Sequence, residues 1–475
     1  MPTIAYREAT VADVGALARI RAASWGTEQY WESRISGYMR GELHPQHSLP
    51  PRVVFVAAEQ GLLVGLIAGH LTRRFGCDGE LEWLDVIPER RRTGIAGALL
   101  RTLARWFQAQ RAKRICVDVD PQNAPARAFY RKHSAEDLNP HWLVWPDITV
   151  LVRFTTADRI LACLKGIATG DAVGKQTETL SQEDVLRWFP RGIHGFEGPP
   201  GSVVPRYVGN AKHEWRIGET TDDTERTIAV ARAIIADRNV SHVSIGRELL
   251  RCKKCVHPGL KSLWEFHEAA DPTRIATSHD GCGAAIRVAP VGIFYTSHRF
   301  DDLLTGAREA AMSTHGGSHA IAAAAATAAA VSAAIDEASP GQVLEVAEYA
   351  AAESERRWPG PGAPAFAKAV HAVHDYLERL PALRPAEIAA SCLPNQPMTI
   401  VPLALGLATV MQSAQEAILI AANIGGDSDS VASIAGGILG AMYPTTVNPD
   451  WYSVVETIND HDLVAIANAL APLRH

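Results

Sequence analysis

Gly425-Gly426-Asp427-Ser428-Asp429-Ser430 leads into Val431-Ala-Ser-Ile-Ala-Gly-Gly-Ile-Leu-Gly-Ala441. Two carboxylates stand two residues apart, with a hydroxyl beside the second. A glycine turn brings them in, and a helix of small residues carries the chain away. Taken singly, Asp427 and Asp429 read as helix caps that complement the positive end of the helix. The same oxygens suit a hard cation, because Mg²⁺ and Ca²⁺ prefer carboxylate, hydroxyl and water ligands. The choice turns on whether the chain supplies a second half-site.

Thr220-Thr221-Asp222-Asp223-Thr224 is such a half-site, and it opens an apolar helix through Ile228, Val230, Ala231, Ile234 and Ile235. A third piece precedes it: Gly166-Ile-Ala-Thr-Gly170-Asp171-Ala-Val-Gly174-Lys-Gln-Thr-Glu178. The three together resemble the ADP-ribosylglycohydrolase family, whose pattern joins G-D-A-x-G, T-D-D-T and G-G-D-[ST]-D-[ST]. Asp280-Gly-Cys-Gly283-Ala-Ala-Ile-Arg287-Val-Ala-Pro290-Val-Gly292 and Ser313-Thr314-His315 match two further segments. The resemblance covers residues 157–475 and implies an all-α domain.

It also implies that Thr221, Asp222, Asp223, Asp427, Asp429 and Ser430 ligate two Mg²⁺ ions. These would hold the distal ribose hydroxyls of the substrate and orient a water. Carboxylates gathered this closely repel one another without a counter-charge, and an all-oxygen set favours Mg²⁺ or Mn²⁺ over zinc. Glu178 is the expected mobile ligand or acid–base group. Asp222 and Asp429 are the expected carboxylates beside the positive charge that builds as an N-glycosidic bond breaks. Asp171 reads equally as structural. Gly281, Cys282 and Gly283 are expected against the ligand, since glycines permit close backbone approach. Cys282 departs from the polar residue many relatives carry, which leaves the substrate open. His315 resembles a substrate-contacting histidine, with a satisfied core histidine as the alternative. Cys252-Lys-Lys-Cys255-Val-His257 invites a zinc reading, but zinc wants four ligands and no second pair is near. Free thiols are the expectation there.

Residues 1–154 have another texture, with short β-like runs alternating with helical ones. Strands are expected over 1–7, 52–59, 61–72, 79–87 and 114–119, and helices over 10–25, 98–111 and 124–132. Between strand and helix lies Pro88-Glu89-Arg90-Arg91-Arg92-Thr93-Gly94-Ile95-Ala96-Gly97. A strand, a basic glycine loop and a helix start form a phosphate cradle, with loop amides and helix dipole both aimed at an anion. In this context the loop resembles the acyl-CoA motif [QR]-x-x-G-x-[GA] of the GNAT N-acetyltransferases, met by Arg91, Gly94 and Ala96. Asn123-Ala-Pro-Ala126-Arg-Ala-Phe129-Tyr130 resembles that family's second motif. The resemblance implies a mixed, mostly antiparallel sheet. It implies acetyl-CoA on Val86, Ile87, Arg91, Arg92, Thr93, Gly94, Ala96, Gly97, Asn123 and Tyr130. Acetyl transfer needs a base for the ammonium and an acid for the leaving thiolate. Tyr130 is the expected acid and Glu82 the expected base. Glu80, Asp118, Asp120 or a water chain are the alternatives.

A chain of 475 residues is too long for one ordinary core. With 47% hydrophobic and 21% charged residues it reads as a soluble globular protein. A net charge of −6 argues against a general nucleic-acid binder. Seven scattered cysteines, an odd number, read as reduced thiols. No basic-then-apolar leader opens the chain, and the apolar stretch 320–334 is shorter than a membrane span. The expectation is a cytoplasmic, multidomain protein without membrane contact. A GNAT domain over 1–154 (α/β, or α+β) precedes an all-α glycohydrolase domain over 157–475. Its partners would be an ADP-ribosylated protein or small molecule and an amine that accepts the acetyl group. Two alternatives stay open: the GNAT domain is an acyl-CoA sensor that regulates the hydrolase, or the hydrolase acts on a small ribosylated metabolite. The loop over 189–219, rich in glycine and proline, is expected to wall the substrate cleft, with disorder as the alternative.

Overall fold

The computed structural model describes residues 4–42, 45, 47–152, 154–210, 213–254, 273–361 and 365–475. It divides into two compact units, Met1–Arg153 and Phe154–His475.

The first unit is a sheet of seven strands: β1 (Ile4–Glu8), β2 (Ser48–Glu59), β3 (Leu62–Thr72), β4 (Gly79–Val86), β5 (Ile115–Asp118), β6 (Glu136–Asp137) and β7 (Trp142–Trp145). Their order is β1-β2-β3-β4-β5-β7-β6, and only β4 and β5 run parallel. Its helices are α1 (Val14–Ala22), α2 (Glu28–Arg40), α3 (Ile95–Ala109) and α4 (Ala124–Lys132). The central strands are apolar on both sides because both faces are covered. Val53, Ala57, Ile67 and Leu81 share a core with Leu99, Leu103 and Phe107 of α3. Val54, Val56, Leu66, Ala68 and Trp83 share one with Leu17 of α1 and Trp31, Ile35 and Tyr38 of α2. Residues 1–3 of the first expected strand lie outside the described residues.

Two irregularities in β4 matter for chemistry. Ala68 faces Trp83 while Gly69 faces Leu81, so Glu82 is the extra residue of a bulge. The pairing with β5 also stops at Leu81 and Val117, although β4 continues to Val86. The strands part just beyond the bulge.

The second unit is built from helices: α5 (Thr156–Gly174), α6 (Gln182–Trp188), α7 (Asp222–Asp237), α8 (His242–Leu249), α9 (Ala289–Phe294), α10 (Phe300–Met312), α11 (Ser318–Ile335), α12 (Pro340–Arg357), α13 (Phe366–Glu378), α14 (Pro385–Cys392), α15 (Pro397–Val410), α16 (Ala414–Ile424), α17 (Ser428–Met442), α18 (Pro449–Asn459) and α19 (Leu463–Leu470). Helices α5 and α17 meet backbone to backbone. A Cβ added at Gly166 or Gly170 would lie 2.1 or 2.2 Å from the carbonyl oxygen of Gly436 or Ala432. One added at Gly174 would lie 2.6 Å from Asp429 Cα. Small residues along both helices permit this seam, and the seam brings the end of α5 against the first turn of α17. Helix α11 is long and apolar enough to cross a membrane, yet 94% of it is buried inside the unit. Its alanines let neighbouring helices approach closely.

Candidate functional site

The seam sets the catalytic-type oxygens. Asp171, fully buried near the end of α5, accepts Thr221 N on both oxygens at 2.9 and 3.0 Å. It also accepts Thr224 N at 3.1 Å and Thr224 Oγ1 at 2.5 Å. Asp171 therefore fixes the start of α7 and, with it, Thr221, Asp222 and Asp223. On the other side, Gly426 N donates to Leu180 O at 2.7 Å and Ser428 Oγ to Gly174 O at 2.9 Å. Gly425 takes a φ of 83°, and a Cβ there would meet Leu180 O at 2.4 Å. Only glycine fits this turn.

Carboxylate oxygens of Glu178, Asp427 and Asp429 consequently lie within 4.8 Å of one another. Asp223 and Asp429 are buried, and their carboxyls are pushed well above the usual range. Burial is the first cause, and repulsion among Asp171, Asp223, Asp427 and Asp429 adds to it. Asp223 accepts Ser433 Oγ at 3.3 Å, and Asp222 pairs with Arg226 at 2.5 Å. Ser430 is buried beside Asp429. This is an all-oxygen set short of positive charge, and it suits a hard divalent cation. Cys282 Sγ donates to Asp427 Oδ2 at 3.4 Å, and burial with Asp427 raises its thiol far above the ordinary value.

The glycines of the 281–283 segment, expected against the ligand, also admit close protein neighbours. A Cβ at Gly281 would lie 2.8 Å from His315 Nε2, and one at Gly283 would lie 2.7 Å from His315 Cε1. His315 is the neighbour both share, with His279 Nε2 at 2.9 Å from the first and Arg226 at 3.1 Å from the second. His315 is buried, with Nδ1 at 2.6 Å from Thr314 Oγ1. Burial, then Arg287 and His279, hold it well below the ordinary range, so it is a neutral imidazole. The described residues of the loop over 189–219 also have definite structure. Val204, Tyr207 and Ile217 form its small core, and Val203 bridges Arg216. Arg206 donates to the carbonyl oxygens of Gln176, at 3.0 Å, and Glu178.

In the first unit, a cavity of about 560 Å³ opens at the loop before α3. Val86, Arg91, Arg92, Gly94, Ala96 and Gly97 line it, joined by Arg90, Arg101, Phe129, Lys132 and His133, which sequence reading missed. Gly94 takes a φ of 91° and no side chain caps α3, so the first amides of the helix stay available. Burial, then Arg101 and Lys132, lower the pKa of His133. Ile87 follows the end of β4, and Thr93 Oγ1 donates to Arg90 O at 2.6 Å within the loop. Asn123 is engaged as a cap, its Oδ1 accepting Ala126 N at 3.1 Å. Tyr130 is buried, and burial raises its hydroxyl pKa. Glu82, in the bulge, is also raised, first by burial. Arg34 stands 3.6 Å from Glu82, while Arg74 donates to Glu80 at 3.0 Å.

Residues 153–475 match the ADP-ribosylglycohydrolase family model. The chain belongs to the ADP-ribosylglycohydrolase family. Residues 17–134 match the acetyltransferase (GNAT) family model, so this ADP-ribosylglycohydrolase carries an acetyltransferase-type domain ahead of it. Over 288 residues the chain is 29% identical to an uncharacterised protein of Archaeoglobus fulgidus, covering 59% of this chain and 86% of that one. It is 24% identical to the ADP-ribosyl-[dinitrogen reductase] glycohydrolase of Rhodospirillum rubrum over 152 residues, 30% of this chain and 47% of the relative. Among solved structures, an ADP-ribosylglycohydrolase-related protein complex is similar at 23% identity and a TM-score of 0.49. The match covers 67% of this chain and 99% of that one.

Several groups at the glycohydrolase site left no sequence signal: Lys175, Trp215, Arg206 and Arg226. Cys252 is half-buried, while Cys255 and His257 lie outside the described residues. His461 supports the site from behind, its Nε2 at 2.8 Å from Thr220 Oγ1. Burial first, then Lys254 and Arg232, push it down from 6.5 to about 4. A depressed histidine gives stability that is complete above its ordinary value and lost as pH falls through the window toward 4. His461→Asn should therefore flatten the acid limb of a urea-denaturation series between pH 7 and pH 4. The wild-type loss assigned to this group is about 3 kcal/mol.

Proposed function

We propose that the second unit hydrolyses ADP-ribosyl groups from N- or O-linked acceptors with the help of divalent cations, Mg²⁺ or Mn²⁺. The observation that carries this is the gathering of Glu178, Asp427 and Asp429 oxygens within 4.8 Å beside a buried, charge-raised Asp223. Thr221, Asp222, Asp223, Asp427, Asp429 and Ser430 are the ligands in this reading, with Glu178 as a mobile ligand that also serves as the acid–base group. Divalent ions bound there would supply Lewis-acid positioning of substrate hydroxyls and of a water. Glu178 takes a proton from that water as its oxygen bonds to the anomeric carbon. The glycosidic bond breaks, its electron pair leaves on the acceptor nitrogen or oxygen, and that atom takes up the proton Glu178 removed from the water. Asp222 and Asp429 offset the positive charge on the sugar meanwhile. The test is release of free ADP-ribose from ADP-ribosyl-arginine, with Mg²⁺ and with EDTA. Mg²⁺-dependent release that Asp427→Ala abolishes supports the reading. Absence of release here, with turnover of a ribosylated small molecule instead, would move the substrate to metabolites.

The first unit, in this proposal, transfers acetyl from acetyl-CoA to an amine. Arginines and free helix amides of the 560 Å³ cavity hold the phosphates, and the parted edge of β4 receives the pantetheine arm. Glu82 takes the ammonium proton, the amine nitrogen attacks the thioester carbon, and Tyr130 protonates the departing thiolate. Burial keeps the Tyr130 hydroxyl protonated, as an acid requires. Gly94→Val forces a side chain into a φ of 91°. It should weaken coenzyme A binding by about tenfold in calorimetric titration. Coenzyme A binding without transfer to any amine of a broad panel would make this unit a sensor.

A further inference from the structure

Lys175 sits in the glycohydrolase site without a part in the reaction proposed for it. Its side chain is buried to 10% exposure. The ammonium contacts Glu178 Oε2 directly, stands 3.9 Å from Asp429 Oδ2, and lies 4.3 Å above the ring of Trp215. Glu178 and Asp429 are two of the three carboxylates whose oxygens cluster within 4.8 Å. The same two groups thus face both the lysine and the place where a cation would be held.

We propose that Lys175 is a built-in competitor for the cation site: its positive charge occupies Glu178 and repels incoming divalent ions, and so sets how tightly and how completely the site fills. The proposal rests on the metal reading of Glu178, Asp427 and Asp429. Its physical basis is like-charge repulsion at a few ångströms in a buried setting, where water screens poorly. Glu178 has to choose, since a carboxylate engaged with an ammonium has less negative charge to offer a metal. Trp215 gives the choice a visible consequence. It belongs to the loop over 189–219, and Lys175 leaving Glu178 alters the cation above the indole ring.

The experiment is Mn²⁺ titration of the EDTA-stripped full chain by calorimetry, with wild type, Lys175→Met, Lys175→Arg and Asp427→Ala. Lys175→Met should bind Mn²⁺ at least about tenfold more tightly, or take up an additional ion that the wild type fills only weakly. Lys175→Arg, which keeps the charge, should stay near wild type. In wild type, Mn²⁺ should change an indole fluorescence signal that Trp215→Phe removes. Unchanged or weaker Mn²⁺ binding in Lys175→Met, with wild-type binding intact and lost in Asp427→Ala, overturns the competitor and leaves the metal site standing. If Lys175→Met does not fold, Lys175→Gln serves in its place. Absence of Mn²⁺ binding in wild type and in every Lys175 variant removes the metal reading, and the proposal with it.

Discussion

Asp429→Asn should abolish Mg²⁺-dependent release of ADP-ribose, lowering the rate by on the order of 10³-fold. Asp429 is the residue where the seam, the cluster and the charge meet. Its Cα lies against Gly174, its carboxylate shares the cluster with Glu178 and Asp427, and Lys175 stands 3.9 Å away. The same change removes a buried negative charge that its neighbours repel, so the fold itself does not suffer. In EDTA, the variant should melt at or above the wild-type temperature. With Mg²⁺, wild type should gain the stability that ligand binding confers on the folded state, and the variant should not. A variant that loses activity and also melts early in EDTA would assign Asp429 a structural role.

The two acidic clusters stood out in the sequence because each packs oxygen side chains at fixed spacing ahead of an apolar run, and the structure brings Asp427 and Asp429 together with Glu178. Thr221-Asp222-Asp223 and Asp427-Ser428-Asp429-Ser430 do begin helices, and Thr221 does cap one, accepting Asp223 N at 3.2 Å. Capping therefore does not compete with the ligand role proposed for these oxygens. The helical character of the second unit was readable from its long apolar periodicities, and the mixed sheet of the first was implied by the GNAT resemblance. Short helices were not readable. Gln182–Trp188, His242–Leu249, Ala289–Phe294, Pro385–Cys392 and Pro449–Asn459 have two or three turns each, too few for a periodic signal. Helix α15 runs from Pro397 and holds Pro402 inside, although a proline ordinarily marks a helix start.

The side chains that complete the sites were hidden for another reason. Lys175 and Trp215 meet only because a loop folds back on the end of α5, and no local pattern encodes that return. The glycines at 281 and 283 show the opposite case. Their presence was visible, but a residue they both make room for, His315, lies two helices further along. Asp171 was left equally structural or functional, and its four hydrogen bonds to Thr221 and Thr224 give it the positioning role.

Gly170→Val should cost the second unit about 4 kcal/mol or more, a large share of a typical domain's stability. Its Cβ would lie 2.2 Å from Ala432 O and 2.5 Å from Ala432 C. Both are backbone atoms of a buried helix, so no side chain can rotate away to relieve the overlap. Helices α5 and α17 must separate, and they carry opposite halves of the site: Asp171 and Glu178 follow from one, Asp427 and Asp429 from the other. The variant should therefore show a melting temperature lowered by about 10 °C, and Mg²⁺ should stabilise it less than wild type. Gly341→Ala provides the contrast, because nothing lies within 4 Å of a Cβ placed there. It should leave the melting temperature unchanged or slightly raised. If Gly170→Val melts like Gly341→Ala, the close seam is not what holds the two half-sites in register.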